Sequence, residues 1–252
     1  MNIVQLLEDV ATGAVSVEEA RQRLELKSPR EYDLGFAKLD VDRESRCGIP
    51  EVVFGEGKTA EQIVSLVGAQ RSCGQRALVT RVDADKVRSV LVAEPDARFH
   101  AEARMLMVPG DDGVDRGEGC IAVVSAGTSD LPVAEEAALT AEWMGAKVLR
   151  IADVGVAGLS RLLCRLDEVR SAHVVIVVAG MEGALPSVVA GQVVAPVIAV
   201  PTRVGYGWNL EGITAFLSMV NSCAAGVMTV NLDNGFGAGV AAAKINRLAE
   251  MK

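Results

Sequence analysis

Cys223, in the small-residue turn NSCAAG, is the strongest candidate nucleophile in the sequence. A thiolate needs access and room, and such a turn supplies both. A lone cysteine among Ser, Ala and Gly is more often a small buried hydrophobe, so position alone leaves both readings open. Glu182, in AGMEGALP, is the candidate base. One carboxylate in reach of a C–H or a water is what proton removal needs, and a helix cap or a solvated charge is the plainer alternative. SAGTSD at 125–130 contributes Ser125, Gly127, Thr128, Ser129 and Asp130. A glycine that admits a ligand, two hydroxyls and the free amides of a helix start suit a phosphate. The plainer reading is a well-capped helix, with Asp130 or Ser129 as cap and Pro132 in the first turn. Gly180, Gly235 and Gly237 complete the candidate ligand-binding set. DNGFGAG lacks the GxGxxG spacing, and a close helix–strand crossing explains its glycines nearly as well.

These residues need a scaffold, and residues 117–252 read as one. Strands are expected near 120–124, 147–151, 173–178, 197–200 and 227–231. Helices are expected near 132–144, 157–169, 183–191, 210–221 and 237–250. The strands are near-continuous Val, Ile and Ala runs, as in a sheet covered on both faces. Five βα units imply an α/β fold, a doubly wound, parallel, five-stranded sheet of flavodoxin-like size. Ligands of such sheets sit beyond the carboxyl ends of the strands, where SAGTSD, AGMEGALP, VPTRVGYG and DNGFGAG all fall. Cys223 does not fit this rule. It precedes its strand, at the opposite edge, so it suits a neighbouring subunit's crevice better than its own.

Residues 1–116 read as a small α+β domain. Ile3, Leu6, Leu7 and Val10 make the apolar face of a first helix, and Ser16 with Glu19 forms a capping box for a second that ends before Pro29. Strands follow near 35–42, 51–54, 77–82 and 97–107, with a helix capped by Thr59 and Gln62 and another by Asp83. GEGKT at 55–59 does not complete the GxxxxGK[ST] of a P-loop, and a tight strand-to-helix turn accounts for it. The polar, turn-rich PGDDGVDRGEG at 109–119 sets the boundary, with the second domain spanning 117–252.

Composition narrows the function classes. Half of the 252 residues are hydrophobic, while no apolar run reaches the length of a membrane span. The acidic start, MNIVQLLEDV, lacks the bases of a signal peptide and reads as cytoplasmic. A net charge of −8 argues against nucleic acid as partner. The cysteines at 47, 73, 120, 164 and 223 are scattered and odd in number, which disfavours a disulfide framework or a zinc site. Charged residues concentrate before residue 117. The charge-poor remainder must be buried by its own layers or by other subunits.

The motifs together match a family. Residues 117–252 resemble the aminoimidazole ribonucleotide (AIR) carboxylase domain. SAGTSDLPVAEEA, DVGVAGLSRLL, VVAGMEGALPSVVAG, VPTRVGYG and NSCAAGVMTVNLDNGFGAG resemble the LarB family more closely still, and RCGIPEVVFGEGKT is similar to its leading domain. The resemblance implies carboxylation of the pyridinium ring of nicotinic acid adenine dinucleotide by CO2 or bicarbonate. Hydrolysis of the phosphoanhydride would follow, giving pyridinium-3,5-biscarboxylic acid mononucleotide and AMP, an early step toward the nickel-pincer nucleotide cofactor. It also implies the roles: Cys223 as the thiolate that adds to the ring, Glu182 as the base that removes the ring proton, and Thr128, Ser129 and Asp130 as holders of phosphate and of Mg2+. The AIR carboxylase likeness implies a homo-oligomer, an octamer. Two departures stand out, Arg203 in place of an expected serine and WNLEG at 208–212 in place of a smaller sequence. AIR carboxylase itself is a rival reading, but it uses a histidine near the reacting ring, and neither His100 nor His173 lies in a strand-end glycine loop. A non-catalytic nucleotide-binding oligomer is a second rival; it leaves the thiol, the acid and the hydroxyl-rich turn without a joint role.

Overall fold

The computed structural model describes residues 3–25, 31–110, 117 and 119–250. Pro29 and most of the 109–119 segment lie outside them. Compactness divides the chain into two units, one ending at Glu51 and one beginning at Val52.

In the first unit, helices α1 (Ile3–Ala11) and α2 (Val17–Glu25) close over Leu6, Val10, Val15 and Ala20. The Ser16 hydroxyl accepts from the Glu19 amide at 3.1 Å, as the cap requires. The strand expected over 35–42 is instead a minimal antiparallel hairpin, β1 (Tyr32–Asp33) and β2 (Lys38–Leu39), followed by the short helix α3 (Arg43–Cys47). The cause is local. Asp33 Oδ1 accepts from the Gly35 amide at 2.7 Å, and Gly35 takes a φ of 79°, which turns the chain where the alternating pattern had suggested extension.

The second unit holds two sheets. The smaller has strand order β3-β4-β6-β5, from β3 (Val53–Phe54), β4 (Ala77–Thr80), β5 (Arg98–His100) and β6 (Met105–Val108). Between them run α4 (Ala60–Ser72), with a complete Thr59–Gln62 capping box, and α5 (Ala84–Ala93). Asp83 precedes α5 but makes no side-chain cap; its carboxylate accepts from Arg104 at 2.7 Å instead. The single strand expected at 97–107 is an antiparallel hairpin, because the chain reverses between Ala101 and Arg104.

The larger sheet has five strands, all parallel: β7 (Cys120–Ser125), β8 (Lys147–Ile151), β9 (Val174–Ala179), β10 (Val197–Pro201) and β11 (Val227–Thr229). Their spatial order is β11-β10-β9-β7-β8, the flavodoxin-like 2-1-3-4-5 arrangement, which reverses direction between β7 and β9. Helices α6 (Leu131–Trp143) and α11 (Gly235–Glu250) cover one face. Helices α7 (Leu159–Leu163), α8 (Leu166–Arg170), α9 (Leu185–Ala190) and α10 (Ile213–Val220) lie on the other, closing over Val124, Val175, Val177 and Ala199. Every residue of β9 is buried, which is why its sequence is continuously apolar. The helix expected at 157–169 is broken into α7 and α8, and the one expected from 210 starts at Ile213, after a 3-10 stretch over Gly207–Gly212. Among the described residues no helix is long and apolar enough to cross a membrane.

Candidate active site

A cleft of about 430 Å3 opens at the carboxyl edge of the large sheet, at the reversal between β7 and β9. Open parallel sheets place ligands at this point, because the connections from neighbouring strands leave toward opposite faces and part there. The turns after β7, β8 and β9 form its walls.

After β7, Gly127 is extended and Thr128–Asp130 forms one 3-10 turn that runs into α6, with Pro132 in the helix's first turn. Thr128 and Ser129 are exposed, and their hydroxyls have no partner among the described residues. Asp130 does not cap α6, contrary to the expectation from its position. Only 3% exposed, it turns inward. One carboxylate oxygen accepts from the Thr202 hydroxyl at 2.7 Å, and the other from the Gly127 amide at 2.9 Å. Burial raises its pKa above the ordinary carboxylate value, against the lowering pull of Thr202 and of the amides of Gly127 and Gly180. Asp130 thus ties together the turns that follow β7, β9 and β10. Ser125, at the end of β7, is buried with no hydroxyl partner among the described residues, and it does not line the cleft.

After β9, the AGMEG turn is held tightly. A side chain at Gly180 would run into the Val204 carbonyl and stand 2.7 Å from the Thr202 hydroxyl oxygen. The Met181 amide donates to the Val204 carbonyl at 2.7 Å, and Met181 and Gly183 both adopt positive φ. This turn leaves Glu182 exposed on the cleft wall. After β8, Asp153 at φ 58° ion-pairs with Arg161 of α7, and Arg161 lines the cleft. Sequence reasoning gave Arg161 no role, although DVGVAGLSRLL held the signal, a basic residue one helical turn beyond a strand-end glycine loop. Thr202, the partner that fixes Asp130, was also passed over.

The structure therefore brings Gly127, Thr128, Ser129, Asp130, Gly180 and Glu182 to one cleft. Gly235, Gly237 and Cys223 stand elsewhere. Gly235 is pressed against the Val133 carbonyl of α6, and a side chain at Gly239 would stand 2.6 Å from the Ala137 carbonyl, so these glycines serve a close helix–helix crossing. The Gly237 amide donates to Asn234 Oδ1 at 2.8 Å. Cys223 is exposed in the turn before β11. Val227 pairs with Val197 at the start of β10, which puts the thiol beyond the amino edge. β10 is 5 residues long, a depth on the order of 16 Å. Arg203 holds Asp233 through its backbone amide at 3.0 Å and its guanidinium at 3.1 Å. Neither His100 nor His173 lines the cleft.

Among the described residues no three His, Cys, Asp or Glu side chains converge as a metal site. Asp130 is committed to its two donors and Asp153 to Arg161. Mg2+ is usually held by one or two carboxylates together with substrate phosphates, and Glu182 is the carboxylate that the cleft leaves open.

Known families match the chain in two stretches. Residues 31–110 match the LarB/PurE-like N-terminal domain, and residues 120–252 match AIR carboxylase. An uncharacterized protein of Methanocaldococcus jannaschii is 38% identical over 254 residues, an alignment covering 98% of each chain.

Proposed function

This chain belongs to the LarB family, with an AIR carboxylase-like C-terminal domain, and from that premise we propose that it carboxylates nicotinic acid adenine dinucleotide and then hydrolyses it. The observation that carries the reading is the cleft itself: the exposed carboxylate of Glu182 shares one wall system with the open hydroxyls of Thr128 and Ser129 and the guanidinium of Arg161. A phosphate fits the hydroxyl-bearing turn at the head of α6, and Arg161 supplies positive charge. The nicotinate ring then lies near Glu182.

A pyridinium ring is electron-poor and cannot attack carbon dioxide. The Cys223 thiolate forms a C–S bond to the ring carbon beside the target, and a ring π pair moves to the nitrogen. The resulting enamine forms a C–C bond to carbon dioxide. Glu182 takes the proton from the newly carboxylated carbon. The electrons of that C–H bond restore the ring double bond and expel the thiolate. Water then attacks a phosphorus of the anhydride, the bridging P–O bond breaks, and AMP leaves.

The thiol must reach a cleft that its own chain holds at the other edge of the sheet. We propose that a second copy supplies it, in a homo-oligomer of eight. Helix α10 leads directly into the Cys223 turn and exposes Ile213, Leu217 and Val220 on one face, and Trp208 and Leu210, just before it in the chain, are exposed as well. Such a face suits burial against another copy. Incubation with the dinucleotide and bicarbonate, followed by mass spectrometry, tests the reading. Biscarboxylated mononucleotide and AMP are expected, with a transient mass increase on the protein that maps to Cys223. Absence of both products at stoichiometric enzyme would overturn it.

A further inference from the structure

A cavity of about 790 Å3 in the second unit is separate from the cleft. It lies between β5 and β6 of the small sheet and the last turn of α6. Helix α6 has 13 residues, on the order of 20 Å, and the cleft opens at its other end. A volume of this size suits a small organic ligand.

Its floor is apolar, from Met107, Val108, Leu139 and Trp143. Trp143 is fixed in place: Arg76, only 6% exposed, stacks over the indole at 4.5 Å and donates to the Trp143 carbonyl at 3.0 Å. The rim is charged but not balanced. Its two acids are already taken, Asp96 by Arg71 at 3.1 Å and Glu142 by Arg150 at 2.6 Å. Arg98 and His100 stand two apart on β5, so they share one face of the strand, and both line the cavity. Neither has a side-chain partner among the described residues. A cavity with an apolar floor, a fixed indole and two unmatched nitrogen-rich side chains on one rim is built for an anion carried on a flat body.

We propose that this cavity is a second ligand site, for a nucleoside monophosphate whose phosphate meets Arg98 and His100 and whose base lies on the apolar floor. The choice of AMP as its occupant rests on the proposed reaction, which releases it; the site's chemistry does not. Occupancy there is separate from the cleft and would let product level be sensed without competing for substrate.

The protein has 2 tryptophans, and Trp208 is highly exposed, so Trp208→Phe leaves Trp143 as the single indole reporter. In that background AMP should give a saturable change in Trp143 fluorescence and in its indole N–H resonance. Adenosine, which lacks the anion, and inorganic phosphate, which lacks the body, should each bind at least about tenfold more weakly. Arg98→Glu should weaken AMP by about tenfold or more, and His100→Ala by less, both being rim substitutions that leave the core intact. Arg161→Ala, in the cleft, should leave the titration unchanged. An unmoved Trp143 signal up to 10 mM AMP (roughly the weak limit for a specific site), or equal affinity in the Arg98→Glu protein, would overturn the proposal. A Trp143 titration that persists in a protein without carboxylase activity would sink the proposed reaction and leave this site standing.

Discussion

The two edges of the large sheet are built differently. At the carboxyl edge, the turns after β7, β9 and β10 are locked to one another by a buried acid and by close backbone contacts, and Glu182 is presented from a turn with two positive-φ residues. At the amino edge, Cys223 sits in an exposed turn, its neighbour Ser222 hydrogen-bonded to Ser187 at 2.7 Å. One edge is a finished cradle, and the other leaves a thiol exposed at the surface. The contrast teaches that the acid and the thiol which the proposed reaction assigns to one site are parted within one chain by the depth of a strand, so that proposal calls for assembly as well as fold.

The sharpest way to break this comparison is at the thiol. Cys223→Ser should lower carboxylation by about 10^3-fold or more, since an alcohol is a far poorer nucleophile at neutral pH. Mixed oligomers of Cys223→Ser and Glu182→Gln subunits should regain about one quarter of wild-type activity, because random pairing places an intact thiol opposite an intact acid in that share of sites. No recovery on mixing would mean that one chain supplies both groups. Leu217→Glu, on the exposed face of α10, should shift the protein to smaller species in light scattering and remove activity with them. Glu182→Gln should reduce kcat by about 10^2- to 10^4-fold, keep dinucleotide affinity within about twofold, and let the thiol adduct accumulate in intact-protein mass spectra. Equal turnover would remove Glu182 from the mechanism.

Smaller effects test the cradle. Asp130→Asn leaves one of two donors facing an amide and should cost about 1–3 kcal/mol in urea unfolding. Burial raises the pKa of Asp130 and also of Glu136, a buried residue of α6 whose carboxylate accepts from the Phe236 amide at 3.1 Å. A raised acid binds its proton more readily in the folded state, so its contribution is full below the unfolded pKa and is lost as pH rises through the folded one. Unfolding midpoints should therefore rise as pH falls through the folded-state values toward the ordinary carboxylate range, and Asp130→Asn should flatten part of that slope. Arg203→Ala should change stability by less than about 1 kcal/mol, its guanidinium being exposed even where it pairs with Asp233 and its backbone amide still holding that carboxylate.

The parallel sheet was legible because burial on both faces leaves a one-dimensional trace, the unbroken Val and Ile runs of β7, β9 and β10. The cleft was legible where a turn combines glycine with hydroxyls. Gly235 and Gly239 were harder to read. Small residues that admit a ligand and small residues that admit a helix look alike in sequence, and here α6 fills the space. The cap offered as the plainer reading of Asp130 does not form, and its actual partner, Thr202, lies far along the chain, where no local pattern marks a long-range hydrogen bond. Arg161 hid within an ordinary amphipathic helix start. The short hairpin at Tyr32–Leu39 was read as a longer strand because alternation persists across its turn.

The single carboxylate beneath the cleft has a kinetic consequence. The amide of Gly127 is bonded to Asp130, which is bonded in turn to Thr202, whose own amide donates to the Ala179 carbonyl at 3.1 Å. Exchange of that amide with solvent deuterium must wait for a concerted opening of the turns that line the cleft, while the amides of the Cys223 turn can exchange on their own. Deuterium uptake should therefore be slow and cooperative across residues 127, 180 and 202, and fast at 223–226. Binding of an anion by the hydroxyls of Thr128 and Ser129 should slow the first group without touching the second.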